Sequence, residues 1–190
     1  MTQNQENPKE EQIKKFLEEQ GDIPKRYITA RLSDSPITLN PDASVFFYSE
    51  KTGTGKTHLA WAYYINELIK SGKQKPLFST FGQLQLRLRQ SMDKPTESEN
   101  DIINDFSRRK LVILDDLGGL RPSNTSDYSL SMVFEILNNR YSWVRQTIIT
   151  SNKNLEEIEN NFDARIASRI SGWCEIINLP GDDKRIKPVA

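Results

Sequence analysis

An α/β fold, built on a five-stranded and mainly parallel sheet with helices on both faces, is what this sequence predicts. Three observations carry that prediction. From residue 43 onward apolar runs alternate with helical patterns, the arrangement of parallel strands joined by crossover helices. One strand-to-helix junction holds a Gly/Thr-rich loop, Glu50-Lys51-Thr52-Gly53-Thr54-Gly55-Lys56-Thr57. A later apolar run, Leu111-Val112-Ile113-Leu114, ends in two acids, Asp115 and Asp116.

Taken in order, residues 1–8 are polar and predict disorder. Residues 9–20 predict a short helix with Ile13, Phe16 and Leu17 on one face, ended by Gly21. Ile23-Pro24-Lys25-Arg26-Tyr27 breaks that helix, and Asn40-Pro41-Asp42 turns the chain. Residues 1–42 therefore read as an arm leading into a single domain over residues 43–190. Strands are expected at 44–49, 76–80, 110–114, 146–150 and 175–179. The clearest helices lie at 56–71, 127–143 and 162–171, with two shorter ones at 81–90 and 100–110. Residues 92–101 read as a polar loop. Sheets of this kind bind ligands at the C-terminal ends of their strands.

At 190 residues the chain is long enough for one well-buried core and short for two. Its 26 basic residues balance 26 acidic ones, so no global field draws it to nucleic acid or membrane. The single cysteine, Cys174, has no partner for an internal disulfide or a structural zinc site and reads as a small core residue. The polar N-terminus lacks an apolar signal region, and no stretch approaches the ~20 apolar residues of a membrane span. The expectation is a soluble, cytoplasmic protein without a membrane partner.

The Gly/Thr-rich loop follows Val45-Phe46-Phe47-Tyr48 and opens into His58-Leu59-Ala60-Trp61, the strand–loop–helix setting of a phosphate-binding loop. Its glycines let successive N–H groups face phosphate oxygens, and the helix N-terminus adds partial positive charge. Lys51, Thr52, Gly53, Thr54, Gly55, Lys56, Thr57 and His58 form the expected nucleotide-contacting set. Within it Lys56 reaches the β- and γ-phosphates and Thr57 ligates Mg²⁺. His58, the only histidine, reads as helix packing and not as a catalyst. Glu50 replaces the first glycine of G-x-x-x-x-G-K-S/T, so its carboxylate must turn outward. Asp115 is placed to hold the metal, and Asp116 to activate the attacking water, although two acids at a strand end also suit a solvated turn. Thr147-Ile148-Ile149-Thr150-Ser151-Asn152 ends in a polar pair. Asn152 reads either as a γ-phosphate sensor or as the cap of a helix starting near Leu155. Arg165 and Arg169 share a helical face at i, i+4, as a finger toward a neighbouring subunit's phosphate or as a solvated face. Arg87, Arg89, Arg108 and Arg109 are candidate DNA contacts, and an ordinary amphipathic helix explains each equally well. Phe81 and Phe106 are the aromatic residues near them.

These elements together resemble the AAA+ ATPases of the DnaC/DnaI helicase-loader and IstB transposition-helper family. The likeness rests on Gly53-Thr54-Gly55-Lys56-Thr57-His58-Leu59-Ala60, Leu114-Asp115-Asp116-Leu117-Gly118, Asn139-Arg140-Tyr141, Thr147-Ile148-Ile149-Thr150-Ser151-Asn152 and Arg165-Ile166-Ala167-Ser168-Arg169. It spans residues 23–185. It implies a P-loop AAA+ three-layer sandwich without a separate lid domain, with ATP and Mg²⁺ bound at subunit interfaces. It puts the finger at Arg169 and a second phosphate sensor at Arg185. It also implies ATP-dependent self-assembly into an oligomer or filament, a hexameric replicative helicase as partner through the N-terminal arm, and contact with single-stranded DNA. The competing readings are an IstB-like transposition regulator that assembles on DNA, and a nucleotide-switched adaptor with little turnover.

Overall fold

Five strands, β1 (Val45–Tyr48), β2 (Leu77–Thr80), β3 (Val112–Asp115), β4 (Thr147–Ser151) and β5 (Glu175–Asn178), form one sheet in the order β2-β3-β4-β1-β5. The computed structural model describes residues 8–71, 74–93, 97–119 and 127–183. Every adjacent pair of strands is parallel, so "mainly parallel" becomes wholly parallel among the described residues. Registers such as Phe46↔Ile149 and Ile113↔Ile148 bring the ends of β1, β3 and β4 to one edge.

The alternation of side chains along each strand sorts the core into two layers. Phe46, Val112, Leu114 and Ile149 face one way and pack with α3 (Phe81–Asp93), α4 (Glu99–Arg108), α5 (Asp127–Ser142), α6 (Leu155–Asn161) and α7 (Ala164–Ser171). Val45, Phe47, Ile113 and Ile148 face the other way, against α2 (Lys56–Ser71). That second layer also takes in Leu17 of α1 (Pro8–Gln20), Ile23, Ile28 and Ala30. The apolar cluster thus runs through the segment expected as an arm, and residues 17–30 form part of the wall of the domain. Of residues 1–8, expected to be disordered, 1–7 lie outside the described residues and Pro8 instead opens α1. Among the described residues no helix is long and apolar enough to cross a membrane.

Helix starts follow from local side-chain chemistry that moves three expected boundaries. Thr80 and Gln83 exchange backbone and side-chain bonds at the start of α3, and Ser98 and Asp101 do the same at α4. The polar loop expected at 92–101 is therefore shorter, because α3 runs to Asp93 and α4 begins at Glu99. Asp163 accepts from Arg165 N and Ile166 N, so α7 starts at Ala164 and not at residue 162.

One buried charge ties this framework together. Arg140 of α5 is fully buried, and desolvation pushes its pKa down to about 9. Its Nη1 donates to Phe106 O at 2.6 Å and Arg109 O at 2.9 Å, and its Nε to Thr147 Oγ1 at 2.7 Å. Nη2 reaches Gln146 O. The guanidinium fork thereby closes the carbonyls at the end of α4 against the start of β4. Arg140→Met should cost more than about 3 kcal/mol in urea unfolding, since an orphaned buried polar group costs about 1–3 kcal/mol and several are orphaned together. A loss below about 1 kcal/mol would mean that those carbonyls find other partners.

Candidate nucleotide-binding site

The loop after β1 wraps because two of its glycines take positive φ, +73° at Gly53 and +104° at Gly55. Lys56 opens α2 and is buried, its Nζ donating back to Ser49 O at 3.1 Å and Lys51 O at 2.9 Å. A cavity of about 500 Å³ lies over the loop and is lined by residues 52–59, Thr80, Asp115, Asp116, Thr150 and Asn152. Glu50 is exposed and does not line the cavity, as an outward carboxylate requires.

Both acids line the cavity, and Asp115 meets the loop directly. Thr57 Oγ1 donates to Asp115 at 3.0 and 3.2 Å. Burial pushes the Asp115 carboxyl above its ordinary range, against the pull of hydrogen bonds from Thr150 and Thr57. Asp116 takes a left-handed φ of +59°, a conformation Asp tolerates better than most residues. Gly119 leaves room for it: a Cβ there would sit 2.1 Å from Asp116 Oδ2. Asn152 Nδ2 donates to Asp116 Oδ1 at 3.1 Å. The capping alternative for Asn152 falls, because Asn154 is the residue whose side chain caps α6, accepting from Glu157 N at 2.8 Å. A hydroxyl and a carboxylate side by side, with phosphate oxygens to complete the shell, suit a hard cation such as Mg²⁺.

His58 differs from its expected packing role. Its ring stays about a third exposed, lines the cavity and pairs with Asp34 Oδ2 at 2.7 Å. Arg26, Tyr27, Asp34 and Pro36 line the same cavity, so the N-terminal segment builds one of its walls. Tyr27 stacks on Trp61 of α2 at 5.9 Å between centroids. No local pattern in the sequence marks these four residues; only the packing of residues 17–30 on α2 brings them there. Thr150 also escaped the reading of single residues. The signal was present, a polar residue directly after the apolar pair Ile148-Ile149 and two positions before Asn152.

Arg185 lies outside the described residues. The segment that leads to it crosses the phosphate loop: Asp182 pairs with Lys51 at 2.8 Å, and a Cβ on Gly53 would lie 1.7 Å from Asp183 Oδ1.

Neither helical arginine enters its own chain's cavity. Arg165 pairs with Asp163 at 2.8 Å and lies over the Phe134 ring. Arg169 donates to Asn138 Oδ1 at 2.8 Å, lies 5.2 Å from the Tyr141 ring and makes no ion pair among the described residues. The candidate DNA contacts divide. Arg87 pairs with Glu97 and Asp105, and Arg109 with Asp105, so these two are not free cations. Arg89 and Arg108 are exposed. Phe81 and Phe106 are buried in the core and present no ring for stacking.

Residues 25–189 match the family model described as IstB-like ATP binding protein. The replicative helicase loader DnaC of Escherichia coli K12 is 31% identical over 125 residues, 66% of this chain and 49% of that one. DnaC of Buchnera aphidicola is 28% identical over 133 residues, 70% of this chain and 52% of that one. The chain thus spans about half the length of the curated relatives it matches. Among solved structures, the DnaC helicase loader superposes with TM-score 0.67 at 24% identity, covering 83% of this chain and all of that one. DnaI superposes with TM-score 0.63 at 20% identity, covering 84% and 95%. Both structures share the fold.

Lys56→Ala should weaken binding of a fluorescent ATP analogue roughly 10- to 100-fold, the equivalent of one hydrogen bond to a charged group. Unchanged affinity would remove the phosphate-loop assignment.

Proposed function

Since this chain belongs to the IstB-like ATP binding protein family, we propose that it is an AAA+ ATPase that loads or remodels a replicative DNA helicase. The observation that carries the nucleotide part is the convergence of Lys56, Thr57, Asp115, Asp116 and Asn152 on one cavity. Lys56 would bind the β- and γ-phosphates. Thr57, which spends its proton on Asp115, keeps lone pairs for Mg²⁺. When bound, the metal supplies positive charge to the phosphate oxygens. Asp116, held by Asn152, would accept a proton from the attacking water.

Hydrolysis in this reading needs a second copy. Arg169 stands outside its own cavity on a cradle of Asn138, Phe134 and Tyr141, where a planar guanidinium stays ordered without a carboxylate to neutralise it. It would reach the γ-phosphate of a neighbouring subunit and stabilise charge in the transition state. Turnover is then slow in the monomer and rises with assembly.

The helicase part rests on the likeness to DnaC. The N-terminal segment is the proposed docking element, with Phe16 of α1 exposed on it beside the buried Leu17. Because the same segment walls the nucleotide cavity, ATP and ADP would hold it differently. Arg89 and Arg108 are the remaining candidates for single-stranded DNA. The family model, described as IstB-like ATP binding protein, favours a second reading, an IstB-like ATPase that assembles on DNA for transposition.

Arg169→Ala should leave nucleotide affinity of the monomer unchanged and lower turnover of the assembled protein by about 1,000-fold or more, within the range of arginine fingers. Unchanged turnover would remove the finger role. Mass photometry with a hexameric replicative helicase should show a complex in ATP that disperses in ADP. No complex in either nucleotide would count against the loader and for the transposition-type ATPase.

A further inference from the structure

One hydroxyl in the cavity wall has no part in the reaction as described above. Thr150, the fourth residue of β4, is 2% exposed. The β3–β4 ladder runs through Leu114↔Ile149 and stops before Asp115. Past that point Thr150 supplies the bonds itself. Its carbonyl accepts from Leu117 N at 2.8 Å, and its Oγ1 accepts from Asp116 N at 2.9 Å. The same Oγ1 donates to Asp115 Oδ1 at 2.6 Å. Thr57 Oγ1 reaches that carboxylate from the phosphate-loop side.

We propose that Thr150 is a positioning residue that sets both acids of the site at once through a single hydroxyl. Resting on the ATPase reading above, the assignment follows from what a hydroxyl can do. It accepts one hydrogen bond while donating another. The accepted bond holds the Asp116 peptide where φ turns positive, which presents the Asp116 carboxylate to Asn152. The donated bond fixes the rotation of the Asp115 carboxylate, so that its face toward Thr57 is the face offered to the metal. Asp115 is thereby gripped from both sides, by one hydroxyl from the loop and one from the neighbouring strand. The β-branch of threonine limits χ1 in a strand, so the hydroxyl stays on the cavity side. Valine has nearly the same shape and can make neither bond, whereas serine can make both.

The test compares the whole chain with Thr150→Val and Thr150→Ser, measuring binding of a fluorescent ATP analogue in EDTA and across a Mg²⁺ titration, then turnover. Thr150→Val should bind the metal-free nucleotide as the parent does, because the loop is untouched. Its half-saturating Mg²⁺ concentration should rise about tenfold, the equivalent of one hydrogen bond to a charged group. Its turnover should fall at least tenfold at saturating nucleotide, and Thr150→Ser should recover both to within about threefold. A Thr150→Val protein with the parent's Mg²⁺ response overturns the assignment. So does a Thr150→Ser protein as impaired as the valine variant, since that would point to packing. If Thr150→Val does not fold, Thr150→Ala carries the same comparison. Failure of the parent itself to bind nucleotide would instead remove the ATPase reading and the positioning role with it.

Discussion

Three adjacent strands, β3, β4 and β1, run parallel and finish at one edge of the sheet, and the phosphate loop, both acids, Thr150 and Asn152 all hang from that edge. The phosphate loop leaves β1, the two acids leave β3, and Thr150 and Asn152 leave β4. Backbone pairing sets the spacing of these groups before any side chain contributes. A slip of one residue between β3 and β4 would turn Ile148 and Ile149 to the wrong layers and part Thr150 from Asp115. The apolar sorting of the strands into two layers resists such a slip. The stability of the core and the geometry of the site are therefore consequences of one register.

Arg140 acts on the same register from the opposite end of the sheet. It gathers the carbonyls of Phe106 and Arg109 with the hydroxyl of Thr147, all close to where β3 and β4 begin. A buried guanidinium with only neutral partners, carbonyls and one hydroxyl among the described residues, is costly to desolvate. It can still specify one arrangement, because five donors in a rigid plane accept few alternatives. The charged residues of α3 and α4 illustrate the opposite economy. Glu97 and Asp105 neutralise Arg87 and Arg109, so charge that looks available in the sequence is consumed inside the surface.

The N-terminal segment is built into the wall of the nucleotide cavity. Leu17, Ile23 and Ile28 bury against α2, while Arg26, Tyr27 and Asp34 line the cavity, and Asp34 pairs with His58 in the first turn of α2. A segment tied this closely to the cavity differs from a tethered arm, whose motions would be independent of the bound nucleotide. In the proposed loader the same segment would feel the nucleotide and the partner together, which is the coupling a nucleotide-dependent switch requires.

What the sequence by itself determined are features written within a few consecutive residues. The phosphate loop, the Asp115-Asp116 pair, the alternating strands and the i, i+4 arginines are all local, and local chemistry sets their form. Glycines permit the turn at Gly53 and Gly55, and apolar runs of four or five residues make buried strands. Caps were legible in principle, as Asn154 and Asp163 show, but the choice for Asn152 between sensor and cap stayed open until the bond from Glu157 N to Asn154 was seen. Only the tertiary structure decided which distant groups meet. Thr150 lies 35 residues beyond the Asp115 it grips, Arg87 lies 18 before the Asp105 that neutralises it, and Asp34 lies 24 before His58. Such partners are chosen by the packing of strands and helices, which no short stretch of sequence encodes.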